Sequence, residues 1–143
     1  MQKTKKDGEQ CHIGVIGLGR MGQNMAQRLL LRNVRVAVYG QNPEMVALVQ
    51  KHGGCGAETV CDLVEQLGQP RAVWVMVPQG ESTETVIGSL IPLLSAGDTI
   101  IDGGNAHYKD SIRRAKKLST HGIDFLDVGT SGGIWGLEKG YSL

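Results

Sequence analysis

His12-Ile13-Gly14-Val15-Ile16-Gly17-Leu18-Gly19-Arg20-Met21-Gly22 is the stretch that decides the fold. Residues 12–17 form a short stretch whose β-branched apolar residues, Ile13, Val15 and Ile16, fall on both parities, which suits a buried parallel strand better than a half-exposed one. Met21, Met25, Ala26, Leu29 and Leu30 then recur at helical spacing, with Arg20, Gln23, Asn24, Gln27 and Arg28 expected on the outer face. Gly17-Leu18-Gly19-Arg20-Met21-Gly22 fits G-x-G-x-x-G at the junction of that strand and that helix. Glycine fills 21 of 143 positions, so the bare pattern has roughly 0.4 chance matches in this chain. Its setting carries the meaning, because free N–H groups at a helix N-terminus there can receive a dinucleotide pyrophosphate. Gly17 permits the turn, Gly19 lets a phosphate approach, and Gly22 lets helix pack on strand, with Leu18, Arg20 and Met21 completing the loop. The alternative is that the glycines serve only a tight strand-to-helix turn.

Working outward, Val34-Arg35-Val36-Ala37-Val38-Tyr39 reads as a second strand, and Asn42 with Pro43 opens a second helix running to about Lys51. Thr59 can cap a short helix through Leu67, and Ala72-Val73-Trp74-Val75-Met76-Val77 is an apolar strand stopped by Pro78. Ser82 or Thr83 begins a helix that ends near Pro92, and Thr99-Ile100-Ile101 is the next strand. The segment from Ser111 to Ser119 is helical with Ile112, Ala115 and Leu118 inward, and Ile123-Asp124-Phe125-Leu126-Asp127-Val128 closes the pattern. Five strands alternating with helices predict an α/β fold: a doubly wound, mostly parallel, Rossmann-type sheet. Residues 129–143 are punctuated by glycine and are expected to hold no closing element, as in a domain truncated at its C-terminal end.

Composition limits the alternatives. At 143 residues the chain holds one domain, read as 11–143, after a charged stretch 1–10 expected to be a disordered tail. Fifteen Lys and Arg against 14 Asp and Glu offer no general attraction to nucleic acid or to anionic membranes. No apolar run approaches the roughly 18 residues of a membrane span. Cys11, Cys55 and Cys61 form no CxxC pair, and no uninterrupted apolar h-region follows the start, so a cytoplasmic location is expected.

A nicotinamide dinucleotide site shows its preference where the second strand ends, through an acidic residue for the ribose 2′-OH or a cation for a 2′-phosphate. Here that place reads Tyr39-Gly40-Gln41-Asn42, with neither. Gln41 and Asn42 can hydrogen-bond either form, which leaves NAD and NADP both open. Equally, Gly40 can merely turn the chain and Asn42 merely cap the next helix.

Four stretches together carry a family resemblance: Gly17-Leu18-Gly19-Arg20-Met21-Gly22-Gln23-Asn24; Val75-Met76-Val77-Pro78; Asp102-Gly103-Gly104-Asn105 with Tyr108; and the run from Gly129-Thr130-Ser131-Gly132-Gly133-Ile134-Trp135 through Tyr141. From about Cys11 to the last residue the chain resembles the amino-terminal domain of decarboxylating 6-phosphogluconate dehydrogenases, in the shorter, often NAD-preferring bacterial branch. That branch usually has Asp where this chain has Gly40. The resemblance implies that Asn105 touches both nicotinamide and substrate, and that Ser131, Gly132 and Gly133 hold the sugar acid, 6-phosphogluconate. It also implies that Val77, Pro78 and Gln79 line the cofactor. The base and acid of oxidative decarboxylation, a Lys and a Glu in the family, are expected beyond Leu143, so no catalytic residue is assigned within the chain. An all-helical domain that also forms a homo-oligomer is expected to be missing as well.

Asp102–Asn105 and Gly129–Gly133 each follow a strand, so both lie at the carboxyl edge of the sheet, where open α/β sheets bind ligands. Their glycines can equally be only turns. The 3-hydroxyisobutyrate dehydrogenases share the first fingerprint and a Ser-Gly-Gly but not the Asp-Gly-Gly-Asn stretch, and stand as the alternative enzyme class. A non-catalytic nucleotide-sensing module is the alternative outside enzymes. Gly129-Thr130-Ser131-Gly132-Gly133 also fits the hydrolase elbow G-x-S-x-G, but no His follows Ser131, and Gly136 and Gly140 are expected to spoil the helix that should come next. His52, Cys55 and Cys61 lack a fourth metal ligand, so no metal is expected. Lys109, Arg113, Arg114, Lys116 and Lys117 read as a solvated helix face, with phosphate contact as the alternative. His107 and His121 receive no role.

Overall fold

A computed structural model describes residues 10–143. Within them a six-stranded, all-parallel sheet runs in the order β3-β2-β1-β4-β5-β6, made of β1 (Ile13–Ile16), β2 (Val36–Tyr39), β3 (Cys55–Gly56), β4 (Ala72–Val75), β5 (Thr99–Asp102) and β6 (Asp124–Asp127). The helices are α1 (Arg20–Leu31), α2 (Pro43–Lys51), α3 (Val60–Glu65), α4 (Glu81–Leu90), α5 (Tyr108–Ser119) and α6 (Gly136–Lys139). The tail expected over 1–10 lies outside the described residues except for Gln10. Pairing begins at once after it, where the Cys11 amide donates to the Gln66 carbonyl at 2.8 Å.

Continuous apolar strands give the sheet two buried faces. On one, Val15, Val36 and Val38 pack with Ala26 of α1 and Val49 of α2; on the other, Ile16, Val73, Val75 and Ile100 pack with Leu63 of α3, Ile87 and Leu90 of α4, and Leu118 of α5. Strand β1 shows why its apolar residues occupy both parities: adjacent Val15 and Ile16 serve opposite cores. The order reverses between β1 and its neighbours β2 and β4. That crevice is the topological switch point of a doubly wound sheet.

Local chemistry set most element ends as expected. The Asn42 side chain accepts from Glu44 N at 2.9 Å with Pro43 in the first turn, and Thr59 Oγ1 accepts from Asp62 N at 3.0 Å. Several expectations need correction. A sixth strand, Cys55–Gly56, is two residues long, too short to carry a periodic pattern. Helix α4 starts at Glu81 behind Gly80 (φ 95°), one residue before Ser82. Helix α5 turns Ser111, Arg114 and Leu118 inward, while Ile112 is 52% exposed. The rotation follows from the buried ion pair of Arg114 with Asp102, so Arg114 does not belong to a solvated basic face.

On α1, Gln27 is buried and donates to Gln23 Oε1 at 3.2 Å, and Arg28 Nη1 donates to the Leu137 carbonyl at 3.0 Å. The face expected to be open therefore holds the C-terminal segment. That segment does close, through a 3-10 turn at Gly133–Trp135, the single turn of α6, and paired backbone bonds between Ser131 and Ser142. Gly136 and Gly140 permit this short helix, Gly140 (φ 94°) ending it.

Candidate functional site

At the switch point lies a groove of about 790 Å³. Its floor is the turn after β1, one wall is the end of β2 with Met45 of α2, and the other is the loop after β4 with the first turns of α4. Of the candidate cofactor residues, Gly17, Leu18, Gly19, Arg20, Gly40, Gln41, Asn42, Val77 and Pro78 line it. Met21, Gly22, Gln79 and Asn105 do not. Glu81, Ser82, Thr85, Val86 and Met45 line it too and were not anticipated, since only the third dimension brings α2 and α4 to the rim.

The three fingerprint glycines occupy different environments. Gly17 has φ +98°, and a Cβ there would collide with the Met76 carbonyl; a Cβ on Gly22 would collide with the Gly17 carbonyl. Both are required by the packing of strand, turn and helix. Gly19 has ordinary backbone angles, φ −65° and ψ −175°, and a Cβ there would meet no atom within 4 Å. The fold makes no demand for glycine at this position, which faces the groove.

Gly19 is also the N-cap of α1 and supplies no capping side chain, and no acidic residue stands in the first turn. Helices α2, α3 and α5, by contrast, are capped by Asn42, Thr59 and His107, the last accepting from Lys109 N through Nδ1 at 3.3 Å. The N-terminal amides and positive dipole end of α1, together with Arg20, give the groove an anion-favouring floor. Glu81 places a carboxylate on the opposite wall, at the start of α4. At the β2 end, Asn42 spends its carbonyl on the helix cap and keeps its amide N–H groups as donors, and no carboxylate or cation of 40–42 stands ready for a ribose.

The second pair of candidate stretches meets at the far end of the sheet. Asn105, in the left-handed region at φ +56°, is laced to the loop after β6: its Oδ1 accepts from Thr130 N at 3.0 Å and its Nδ2 donates to the Thr130 carbonyl at 3.3 Å. One N–H and one lone pair remain for any ligand. The turn it ends is tight, since a Cβ on Gly104 would stand 2.9 Å from the Val77 carbonyl and one on Gly103 2.5 Å from Met76 Sδ. Ser131 is exposed, and Gly132 (φ +150°) lies against Tyr141. Lys139 Nζ sits 5.2 Å from the centre of the Trp135 ring, and Glu138 is exposed.

No group of three or more His, Cys, Asp or Glu among the described residues could hold a metal ion, and no helix among them is long and apolar enough to cross a membrane.

Strand order, crevice and glycine turn together define a dinucleotide-binding domain of the doubly wound α/β class. Sequence comparison makes the assignment particular: the family model for the NAD binding domain of 6-phosphogluconate dehydrogenase matches residues 12–143, and the chain belongs to that family. It is 41% identical over 131 residues to an NAD(+)-dependent, decarboxylating 6-phosphogluconate dehydrogenase of Haloferax volcanii, covering 92% of this chain and 43% of that protein. A decarboxylating 6-phosphogluconate dehydrogenase of Bacillus licheniformis is 44% identical over 135 residues, covering 92% of this chain and 29% of the relative. The chain thus spans between 29% and 43% of the length of these relatives. Among solved structures, the 6-phosphogluconate dehydrogenase of Plasmodium falciparum, described in apo form and in complexes with NADP+ and with 6-phosphogluconate, superposes with a TM-score of 0.85 at 32% identity, over 92% of this chain and 29% of that one. A 3-hydroxyisobutyrate dehydrogenase of Mycobacterium tuberculosis, at 23% identity and a TM-score of 0.80, shares the fold.

Proposed function

We propose that the chain binds NAD or NADP in the switch-point groove and serves as the cofactor-binding part of a cytoplasmic enzyme that oxidatively decarboxylates 6-phosphogluconate. The observation that carries this reading is Gly19. Gly17 and Gly22 are glycine because the turn leaves no room for more, whereas Gly19 has room and faces only the groove, so its missing side chain serves an approaching ligand. The uncapped α1 amides of the Gly17–Gly22 turn and Arg20 receive the pyrophosphate. Gly40, Gln41 and Asn42, with Met45, take the adenosine end, and Val77, Pro78, Gln79 and Asn105 the nicotinamide end. When bound, the nicotinamide supplies a hydride acceptor. Asn105 orients the sugar acid through its remaining amide N–H, and Ser131, Gly132 and Gly133 offer a hydroxyl and backbone N–H groups to its oxygens.

Acid–base work has no built candidate in 11–143. Glu138 and Lys139 are sequence neighbours in an exposed turn, with the Lys139 ammonium over the Trp135 ring, and are not opposed across a closed site. Residues from the part of the family's proteins beyond this match would supply them, and would form the homo-oligomer. Nucleic acid and membrane remain outside the expected partners. The test is twofold: fluorescence titration of the purified chain with NADH and NADPH, and absorbance at the nicotinamide band with saturating 6-phosphogluconate and each oxidised cofactor. Binding of the reduced cofactors without turnover is expected. Turnover that survives removal of contaminating enzyme and disappears in Asn105→Ala would show the chain to be catalytically sufficient.

A further inference from the structure

Arg114 is 1% exposed, and its guanidinium is shared between two carboxylates from different elements. Nη1 donates to Asp102 Oδ2 at 3.0 Å, at the carboxyl end of β5, and Nε donates to Glu84 Oε1 at 2.8 Å, in the first turn of α4. The other oxygen of Asp102, Oδ1, accepts from Gly104 N at 2.9 Å. One side chain therefore reaches both the turn that ends in Asn105 and the helix whose start walls the groove. The two are already in touch, because Gly104 lies against the Val77 carbonyl and Thr83 Oγ1 donates to the Pro78 carbonyl at 3.0 Å.

Stability alone is a poor reason for this arrangement. A buried ion pair is commonly no better for stability than apolar side chains of the same volume, and here Nη2 of Arg114 is buried without a hydrogen-bond partner. What the fork geometry supplies, and an apolar side chain does not, is fixed direction between two carboxylates. We propose that Arg114 is a positioning residue that sets the Asp102–Asn105 turn against the α4 wall, and so holds Asn105 beside the groove, where a bound nicotinamide would meet it. The proposal rests on the dinucleotide reading above.

ADP-ribose separates the two claims, because it fills the fingerprint end and lacks the nicotinamide. In the 143-residue chain, Arg114→Met is expected to weaken NADH binding about tenfold while ADP-ribose affinity stays within about twofold. Arg114→Lys, which keeps the charge without the fork, should restore only part of the loss. In nitrogen-15 NMR of the unliganded protein, the Asn105 side-chain amide and the Gly104 and Thr130 amides should shift in Arg114→Met, while the Gly17 and Gly19 amides stay in place. Equal loss of both ligands, no loss of either, or unmoved Asn105 signals would overturn the proposal. If Arg114→Met does not fold, Glu84→Ala, which removes the α4 carboxylate that both Arg113 and Arg114 hold while leaving the Arg114–Asp102 pair, should still weaken NADH selectively, and parallel weakening of ADP-ribose would count against it. Failure of wild-type protein to bind either ligand would overturn the dinucleotide reading instead, and the Asn105 signals would still decide whether Arg114 positions the turn.

Discussion

Gly40 shows how a single residue sets the cofactor question. A Cβ placed there would stand 3.2 Å from Leu18 Cβ and Cγ, so a side chain fits only if Leu18 gives by a few tenths of an ångström. Gly40→Asp should therefore fold with a stability loss below about 1 kcal/mol. It should shift preference toward NAD by offering the ribose hydroxyls an acceptor and repelling a 2′-phosphate. Wild-type protein, with neither carboxylate nor cation at 40–42, should discriminate between NAD and NADP by less than about 100-fold, or roughly 2.7 kcal/mol. Parallel titrations of both cofactors against both proteins check this, and a larger wild-type preference would contradict it. The roles of Gly17 and Gly22 could be read from the sequence because positive φ and close backbone approach have one residue type as their answer. Gly103, Gly104 and Gly132 show the limit of that reasoning: each meets its own chain, so glycine there does not by itself announce a ligand.

At the scale of elements, strands and capped helices were legible because their signals are local. Asn42 with Pro43 and Thr59 open helices where expected, and the apolar runs of β1, β4 and β5 lie in the sheet. Helix α5 was misread because apolar periodicity pointed to Ile112, whereas the third-dimensional need of Asp102 for a partner turned Arg114 inward. Leu118, common to both readings, is fully buried, and Leu118→Ala should cost about 2–5 kcal/mol, while Ile112→Ser should cost little; urea unfolding compares them.

A second buried carboxylate ties the amino edge of the sheet. Asp98 accepts from Arg71 N at 2.7 Å, from Ser95 N at 2.8 Å and from Arg71 Nη1 at 3.2 Å. Burial pushes this carboxyl up, but the two amides and the guanidinium outweigh it and hold the carboxyl below its ordinary range. A depressed folded-state value means that the stabilisation is present above the unfolded carboxyl value, near pH 4, and is lost as pH falls through the lower folded value. Asp98→Asn should thus be less stable than wild type by about 1–3 kcal/mol at neutral pH, with the gap closing in acid. A gap that stays constant from pH 7 to pH 3 would contradict this.

For the whole molecule, the two faces of the sheet are unequally covered. Register places Trp74, Ile101 and Leu126 in one row, on the face that α1 and α2 cover only over β1 and β2, and Leu126 is 52% exposed. Ile134 and Trp135 are each 57% exposed in the C-terminal turn. The chain should self-associate as concentration rises, and Leu126→Ser with Ile134→Ser should reduce this in light scattering; unchanged scattering would count against it. The sequence carried the architecture because alternation of strand and helix repeats along the chain. It could not carry the parts of the groove's two walls that α2 and α4 add, one to each, from residues far apart in sequence. The central claim, that the groove over Gly19 receives a dinucleotide pyrophosphate, is tested most directly by calorimetric titration of NADH into wild-type and Gly19→Val proteins of equal helix content. Binding in the wild type and at least a roughly 100-fold loss in the variant is the predicted result; unchanged affinity in a folded Gly19→Val protein would contradict it.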